Sequence, residues 1–497
     1  MLPKSTLELI ERVKTDFVGL DTSYTLADGR TTRRIYLDST ASTLMMGAAQ
    51  RAMLKFLGHY ANTHSLQHFP AKVATREYAW AHERILSFLG ADPDTHACFF
   101  AGAGATTGIN RLARTFHHYR PDHPVVLVSL MEHHSNDLPH RRHAEQVIHV
   151  PLEEWPDGPG RICKQELETH LKAYPGKVNY IGVTAVSNVT GIINPVPKAA
   201  ALAHQYGALI LVDGAQAVAH VPVRISGNSD PAEDIDALVF SGHKTYVPGS
   251  PGVVICRKDI LQAQEPVEVG GGMVDRVFVD RYIASDKFPD REEAGTPNIV
   301  GAVGLAAAIE VLDGIGMEAI LEHETELILY AMQRLYETGG VKVYGSADTE
   351  QCPRAASISF NIVGMDHGLV AAILNDFYNI SVRNECFCAH PYVKEMVFDD
   401  LLEAVDGIDE EDLEAAMMLK AGMVRASFGL YNDESDVDAL VAALGEIVAR
   451  QGEYAGQYAP DAAGNYTHKT FRPLAREQFS AREYIREYLE GVEATAD

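Results

Sequence analysis

The stretch Ala237-Leu-Val-Phe-Ser-Gly-His-Lys244 places a lysine shortly after four apolar residues, and this arrangement decides the fold. A short apolar run that ends in small and polar residues is typical of a buried strand at the point where it leaves a sheet. Burial of a lysine there lowers its pKa and lets the neutral amine attack a carbonyl carbon. The stretch therefore predicts a buried strand whose carboxyl end carries a reactive amine.

Similar apolar runs precede and follow this stretch along the first half of the chain. They cover residues 96–100, 125–129, 178–187, 209–212 and 253–256, with helical spacing between several of them, as at residues 198–205. Such alternation predicts an α/β fold, a mostly parallel sheet covered by helices. Sheets of this kind bind ligands beyond the carboxyl ends of their strands.

Small, polar and ionisable residues gather at those predicted strand ends. They are Ala101-Gly-Ala-Gly-Ala-Thr-Thr-Gly108, Glu132-His-His134, Ser187-Asn188, Asp213-Gly-Ala-Gln216 and Ser241-Gly-His-Lys244. Because parallel strands end at one edge of a sheet, we expect these residues to line one site.

The residue types at this edge match the needs of pyridoxal phosphate. Lys244 would bind its aldehyde, and Asp213 would sit beside its ring nitrogen, which must stay protonated for the ring to accept electrons. Gln216 could reach the ring hydroxyl, and His133 could stack on the ring. The glycine-rich turn and helix start around Thr106 would hold the phosphate. Several histidines cluster in sequence, but their spacing favours no metal site.

The pattern changes after about residue 315, where short apolar runs predict a smaller α+β domain. The predicted strands there cover residues 356–361, 380–383 and 424–428. The chain thus divides into an N-terminal helical segment (1–33), a large cofactor-binding domain (34–314), a small C-terminal domain (315–454) with an acidic insertion at about 392–422, and a C-terminal extension (455–497). Within the insertion, residues 399–414 hold nine acids and no base, which is typical of a solvated segment. In the extension we expect a helix over residues 475–490.

Composition excludes several classes of protein. The 42 basic and 68 acidic residues give a net charge of −26, which disfavours nucleic acid and anionic membranes as partners. No apolar run approaches the roughly 20 residues of a membrane-spanning helix. Six cysteines in 497 residues do not make a disulfide framework, and the N-terminus lacks the apolar core of a secretory signal. We expect a cytoplasmic protein.

Over residues 35–450 the sequence closely resembles the class V aminotransferase-like pyridoxal-phosphate enzymes, and within them the cysteine desulfurase and selenocysteine lyase group. The matching pieces occur in order and are specific as a set. They are Tyr36-Leu-Asp-Ser-Thr-Ala-Ser42, Gly104-Ala-Thr-Thr-Gly-Ile-Asn110, Glu132-His-His-Ser-Asn136, Ser187-Asn-Val-Thr-Gly191, Val212-Asp-Gly-Ala-Gln-Ala-Val218, Phe240-Ser-Gly-His-Lys244, Gly270-Gly-Gly272, Glu293-Ala-Gly-Thr-Pro-Asn298 and Arg425-Ala-Ser427.

The resemblance implies a fold-type I transferase and a role for each matched residue. Lys244 would hold pyridoxal phosphate and move the substrate's α-proton, while Asp213, Gln216 and His133 would contact the ring. His133 would also act in proton transfer. Thr296 would reach the phosphate of the neighbouring subunit in a homodimer. The remaining roles are phosphate binding by Ala105, Thr106, Ser241 and His243, and binding of the substrate carboxylate by Asn188 and Arg425.

The resemblance also points to a catalytic cysteine in Arg383-Asn-Glu-Cys-Phe-Cys-Ala-His-Pro391. Counted back from Pro391, Cys388 falls on the family's nucleophile, which would take sulfur from L-cysteine as a persulfide and leave alanine. The Cys-Phe-Cys piece is also similar to molybdenum-cofactor sulfurases. The alternative is that both cysteines are ordinary loop residues. Asn384 and Glu385 depart from the family pattern.

Two other functions stay open at this point. The same scaffold supports transaminases, epimerases and other C–S lyases acting on an amino acid related to cysteine. A non-catalytic, cofactor-binding regulator would need a DNA-reading domain, which the acidic charge disfavours. The main hypothesis is a cysteine desulfurase that passes its sulfur to an acceptor protein.

Overall fold

The computed structural model describes residues 3–63, 65–404 and 420–490. Part of the predicted acidic insertion, residues 405–419, lies outside the described residues, as do residues 491–497 of the extension. Within these ranges the chain forms a large α/β unit followed by a smaller α+β unit.

Among the described residues, the large unit contains the first fourteen strands and nine α-helices. The strands are β1 (Ser23–Thr25), β2 (Thr31–Arg33), β3 (Ile35–Tyr36), β4 (His96–Ala101), β5 (Val125–Ser129), β6 (Gln146–Val150), β7 (Leu152–Trp155), β8 (Gly158–Ile162), β9 (Val178–Thr184), β10 (Leu209–Asp213), β11 (Ala237–Ser241), β12 (Gly252–Arg257), β13 (Val274–Val277) and β14 (Tyr282–Ala284). The helices are α1 (Lys4–Lys14), α2 (Gly47–Leu57), α3 (Phe69–Phe88), α4 (Gly104–Tyr119), α5 (Leu138–His143), α6 (Lys164–Ala173), α7 (Val196–Gln205), α8 (Lys258–Gln262) and α9 (Ile299–Ile315).

A seven-stranded sheet forms the centre of this unit, in the order β4-β12-β11-β10-β9-β5-β6. The pairs from β11 to β6 are parallel, whereas β12 runs antiparallel to both of its neighbours. Strands β5, β9, β10 and β11 are buried along their whole length, as expected of parallel strands covered on both faces. One apolar core contains residues of α3, α7 and α9, and a second contains residues of α4 and α8. The predicted α/β fold is confirmed.

The small unit contains the remaining elements. They are α10 (Met317–Glu337), β15 (Val341–Val343), β16 (Ser357–Ile362), α11 (His367–Tyr378), β17 (Ile380–Ser381), β18 (Arg383–Glu385), α12 (His390–Met396), α13 (Phe398–Ala404), β19 (Met423–Ser427), α14 (Glu434–Ala449), α15 (Gln451–Ala455), β20 (Tyr458–Pro460), β21 (Tyr466–His468), α16 (Ala475–Gln478) and α17 (Ala481–Leu489). A four-stranded antiparallel sheet, β15-β16-β19-β18, packs against α10, α11 and α14.

Three local predictions differ from the structure. The single strand expected over residues 380–383 is two strands, because β17 pairs with β3 while β18 pairs with β19. The helix expected over residues 475–490 is broken where Ser480 accepts a hydrogen bond from the backbone N–H of Glu483 and caps α17. The N-terminal segment is helical only in α1, and a hairpin that turns at Gly29 (φ +83°) joins β1 to β2.

Within the part of the chain that the structure describes, no single helix is long and apolar enough to span a membrane. The consecutive helices α9 and α10 reach that length and composition only together, and they are bent by 79° at their junction.

Candidate active site

Lys244 and Asp213 stand at the carboxyl ends of neighbouring parallel strands. Strand β10 ends at Asp213, and β11 leads through Ser241 into a short turn that ends at Lys244. Burial lowers the pKa of Lys244 to about 8, although the negative charge of Asp213 acts in the opposite direction. Burial also raises the pKa of Asp213, which the Lys244 charge opposes. A largely desolvated amine thus lies within electrostatic reach of a carboxylate that is only 4% exposed.

His133 and Gln216 supply the remaining groups expected around a pyridine ring. Burial, followed by the charge of Lys244, lowers the pKa of His133 to about 3, so its imidazole is neutral. Its Nδ1 accepts a hydrogen bond from the Ser135 backbone N–H at 3.0 Å, which leaves the proton on Nε2. Gln216 is buried, and its Nε2 donates to the carbonyl of Thr40 at 2.9 Å. Both side chains are therefore fixed before any ligand binds.

The start of α4 forms a cradle suited to a phosphate. Its first residue, Gly104, has φ +61°, and a Cβ there would lie 2.6 Å from the Ser241 hydroxyl. The Ala105 backbone N–H donates to that hydroxyl at 2.8 Å. The Thr106 hydroxyl is 2.7 Å from that of Ser135. The positive φ and the close Ser241 hydroxyl therefore require glycine at position 104. A helix N-terminus with hydroxyls around it binds anions, and this cradle fits a phosphate.

His243 and Thr296, both predicted to bind phosphate, have different surroundings. His243 Nδ1 is 3.3 Å from the Ser42 hydroxyl, and burial followed by the Lys244 charge lowers its pKa to about 4. Thr296 is exposed, and its hydroxyl accepts a hydrogen bond from Asn62 at 3.1 Å. The structure therefore places His243 beside Lys244, whereas Thr296 lies on the surface segment that follows Glu293.

Arg425 provides a buried cation whose charge reaches Lys244. Its Nη1 donates to the backbone carbonyl of Asn188 at 2.8 Å, and its Nη2 donates to Asp38 at 3.2 Å. Its Nε has no hydrogen-bond partner among the described residues. Burial lowers the pKa of Arg425 to about 10, and the guanidinium remains charged at neutral pH. The Asn188 amide, predicted to meet a substrate, donates instead to the Phe387 carbonyl at 2.7 Å.

The sequence reasoning gave no role to two charged residues of the site, Asp38 and Arg383, and it expected Glu132 at the site without a role. Arg383 pairs with Arg425 in the β18–β19 register, and its positive charge contributes to lowering the pKa values of Lys244 and His133. Arg383 is the first residue of the quoted cysteine segment. Its nearness in sequence to Cys388 could have indicated that it belongs to the site. Asp38 belongs to a quoted motif, but its contact with Arg425 depends on tertiary structure.

Glu132 is buried immediately before His133. Its carboxylate accepts hydrogen bonds from the Ser129 hydroxyl, the Asn136 amide and the Thr184 backbone N–H. Burial raises the pKa of Glu132 to about 8, and these hydrogen bonds counteract the shift. The Glu132 carboxyl group, through these hydrogen bonds, therefore fixes the backbone that carries His133.

The two cysteines of the quoted segment occupy different surroundings. Cys386 is buried, its thiol donates to the Ala421 carbonyl at 3.1 Å, and burial raises its pKa to about 11. Cys388 is exposed, with φ +57°, and its carbonyl accepts a hydrogen bond from the His134 backbone N–H at 2.7 Å. The charge of Cys388 contributes to raising the pKa of Lys244, so the exposed thiol lies within electrostatic reach of the site.

The described residues contain no group of three or more His, Cys, Asp or Glu side chains placed to hold a metal ion. The donor set fits pyridoxal phosphate instead: a desolvated lysine, a buried carboxylate on the adjacent strand, a neutral imidazole and a helix-start cradle. The sheet and the residues at this edge fit one class of protein, the fold-type I enzymes, in which they would hold pyridoxal phosphate.

Comparison with known proteins narrows that class. The sequence matches the family described as Aminotransferase class-V over residues 35–440. The chain belongs to this family and to its cysteine desulfurase group, as the resemblance implied. The family implies pyridoxal phosphate as the cofactor.

Individual relatives agree with this assignment. A cysteine desulfurase of Serratia proteamaculans is 34% identical over 83% of this chain and 93% of its own length. The apo cysteine desulfurase of Thermococcus onnurineus aligns with a TM-score of 0.74 and 28% identity, over 88% of this chain and 98% of the other. The S-sulfonic acid form of the Escherichia coli cysteine desulfurase CsdA aligns with a TM-score of 0.69 and 28% identity, over 88% of this chain and 98% of the other.

Proposed function

We propose that this protein is a pyridoxal-phosphate-dependent cysteine desulfurase that converts L-cysteine to L-alanine and retains the sulfur as a persulfide on Cys388. The observation that carries the proposal is the placement of Cys388. Its thiol is exposed, acts electrostatically on Lys244, and lies on a loop bonded to the residue after His133. A transaminase or epimerase needs no thiol at this point.

The substrate carboxylate would bind between the guanidinium groups of Arg425 and Arg383. Two charge-assisted hydrogen bonds from a fixed guanidinium hold a carboxylate in one orientation. The Nε atom of Arg425, which lacks a partner among the described residues, is a donor available for that purpose. The charges of both arginines lower the pKa of Lys244, which favours the neutral amine near the substrate.

Bound pyridoxal phosphate supplies an aldehyde and an electron-accepting ring. Lys244 moves the proton of the substrate's α-carbon, because its pKa of about 8 lets the amine both accept and return a proton near neutral pH. Neutral His133 holds a proton on Nε2 and would present it to the cofactor ring. The Asp213 carboxylate would hold the ring nitrogen of the cofactor in its protonated form.

The sulfur transfer involves one bond that forms and one that breaks. The Cys388 thiolate attacks the substrate sulfur, and a new S–S bond forms as the bond from that sulfur to the β-carbon breaks. The electron pair of the broken bond stays on the β-carbon, which takes up a proton and becomes the methyl group of alanine. The sulfur is oxidised and the carbon is reduced, so the step needs no external oxidant.

A homodimer in which Thr296 completes the partner's phosphate site is part of the proposal. Large apolar side chains are exposed in two segments of the chain, and such exposure is typical of protein–protein contacts. They are Leu54, Leu57, Tyr60, Leu66 and Phe69, and Val277, Phe278, Val279, Tyr282 and Ile283. The contact of Asn62 with Thr296 joins the first segment to the Thr296 surface, which supports a shared interface.

We also propose that an acceptor protein collects the sulfur, and that the enzyme works in the cytoplasm. The six free thiols are typical of a reducing compartment. The exposure of Cys388 supports transfer to an outside partner, because a persulfide there can be reached from solvent.

The activity is tested by incubating the purified protein with L-cysteine and a thiol reductant. A desulfurase releases alanine and sulfide in equal amounts. A keto acid that retains the sulfur would identify a transaminase, loss of optical activity an epimerase, and sulfide with pyruvate and ammonia a C–S lyase. Cys388→Ser should abolish sulfide release and leave the cofactor absorption unchanged.

A further inference from the structure

Two histidines join the Cys388 loop to the segment that follows β5. His390 Nδ1 lies 2.9 Å from His134 Nε2, and the His390 backbone N–H donates to the same nitrogen at 3.4 Å. Because a backbone N–H can only donate, His134 Nε2 must be the acceptor and His390 Nδ1 a donor. The two rings are nearly parallel, at 5°, with their centroids 4.7 Å apart. Side chain and backbone of His390 therefore bind one acceptor.

The backbone of His134 completes this contact. Its N–H donates to the Cys388 carbonyl at 2.7 Å, so His134 holds the loop at two points, Cys388 and His390. Burial and then the His390 charge lower the pKa of His134, which keeps its ring neutral and able to accept. The two sequence neighbours of His134 belong to the site. The charge of Lys244 acts on His133, and the Ser135 hydroxyl contacts that of Thr106 in the phosphate cradle.

The loop needs such support because its backbone is strained. Glu385, Phe387 and Cys388 have φ values of +92°, +50° and +57°, a region that residues other than glycine rarely adopt. From the β18 side, Asn188 binds the Phe387 carbonyl and Ala421 accepts from the Cys386 thiol. On the other side of Cys388, the contacts to His134 hold the loop against the site.

We propose that His134 and His390 are positioning residues that form a clamp, which holds Cys388 at the distance from which it attacks the substrate sulfur. The proposal rests on the proposed desulfurase function for its effect on turnover. Neither histidine touches the reacting atoms. The clamp acts through the loop backbone, so its loss should displace the thiol without changing the binding of the substrate carboxylate.

Full-length holoenzyme variants test the clamp. His390→Ala removes the side-chain donor, whereas His390→Asn is the matched control, since its amide nitrogen replaces Nδ1 and carries no imidazole charge. His134→Ala removes the acceptor, His134→Gln supplies an amide oxygen in its place, and the double alanine variant closes a cycle. Alkylation of Cys388 by iodoacetamide is followed by peptide mass spectrometry, with Cys163 of the same molecule as the reference. Sulfide release gives kcat and KM.

The clamp predicts that His390→Ala raises the Cys388 alkylation ratio by about threefold or more, because the loop opens locally. It predicts that kcat falls by about tenfold while KM stays within about twofold, as expected for a misplaced reacting group. His390→Asn should resemble the unaltered protein, His134→Ala should reproduce His390→Ala, and the double variant should be no worse than either.

Two results would overturn the clamp: equal effects of His390→Asn and His390→Ala, or effects of the two alanine substitutions that multiply in the double variant. Should either alanine variant fail to fold, the paired Asn and Gln variants must retain the alkylation ratio of the unaltered protein, and a rise in both contradicts the clamp. Alkylation needs no turnover. Absence of sulfide release from the unaltered protein would therefore refute the desulfurase function separately.

Discussion

The guanidinium of Arg425 donates a hydrogen bond to the carboxylate of Asp38, with Nη2 and Oδ1 3.2 Å apart. Arg425 is 2% exposed, so this bond lies in a site of low dielectric, where charges act strongly on each other. Burial raises the pKa of Asp38, although Arg425 and Arg383 oppose the shift. An anionic substrate must therefore share Arg425 with a resident carboxylate.

Neutralising that carboxylate should strengthen substrate binding. In Asp38→Asn the amide oxygen can still accept from Arg425, while the repulsion between two anions is removed. We expect KM for L-cysteine to fall about three- to tenfold, equivalent to about 1 kcal/mol of electrostatic free energy. Steady-state kinetics measure the change, with Asp21→Asn on the exposed N-terminal segment as control. An unchanged or higher KM would show that Asp38 does not compete with the substrate.

Removal of the Lys244 amine should eliminate covalent cofactor binding. Lys244→Ala is expected to lose the visible absorption of the lysine-bound cofactor and to reduce turnover by about three orders of magnitude or more. Lys198→Ala, on the exposed surface of α7, should change neither quantity. Full turnover in Lys244→Ala would contradict the whole assignment of the site.

Loading of the apoprotein with cofactor should depend on pH through Lys244. The pKa of this amine is about 8, and only the neutral form attacks the aldehyde, so loading should accelerate about tenfold from pH 7 to pH 9. Asp213 raises the pKa, so Asp213→Asn should move the midpoint of the profile to lower pH. Stopped-flow absorbance measures both profiles. Free cofactor titrates identically in the two experiments, and identical midpoints would therefore exclude the Asp213–Lys244 interaction.

Thr296 tests the homodimer. Thr296→Ala should weaken cofactor binding by about 1–2 kcal/mol, because one hydrogen bond to the phosphate is lost and such bonds contribute free energies of this order. Titration of the apoprotein with cofactor gives the affinity, and small-angle scattering gives the oligomeric state. Thr169→Ala, in α6, serves as control. A monomer with full cofactor occupancy would contradict a shared site.

The central sheet and the residues at its edge could be predicted because each depends on local sequence. Buried parallel strands read as continuous apolar runs, and the change to polar residues at Asp213 and Lys244 marks where those strands end. The small domain was less predictable. Residues 380–383 look like one strand, but β17 and β18 pair with different partners, a choice made by tertiary packing.

The side-chain pairs of the site share this dependence on tertiary contacts. Asp38 and Arg425 are 387 positions apart in sequence, and they meet only in the folded protein. His134 and His390 are separated by 256 positions. No local sequence pattern predicts such pairs. Lys244, by contrast, follows its strand directly in the sequence and could be predicted from it. Ser480 is the opposite case, because its effect is local. Serine is a typical N-cap residue, so the sequence alone could have predicted a helix start at Ser480 within residues 475–490.

The position of the sulfur after one turnover tests the central claim most directly. The protein is incubated with L-cysteine, the thiols are trapped by alkylation, and the peptide that contains Cys386 and Cys388 is fragmented by mass spectrometry. We predict one additional sulfur atom on Cys388, retained in Cys386→Ser and absent from Cys388→Ser, because Cys386 is buried with a pKa of about 11. Sulfur on Cys386, or on neither cysteine while L-cysteine is consumed, would contradict the account.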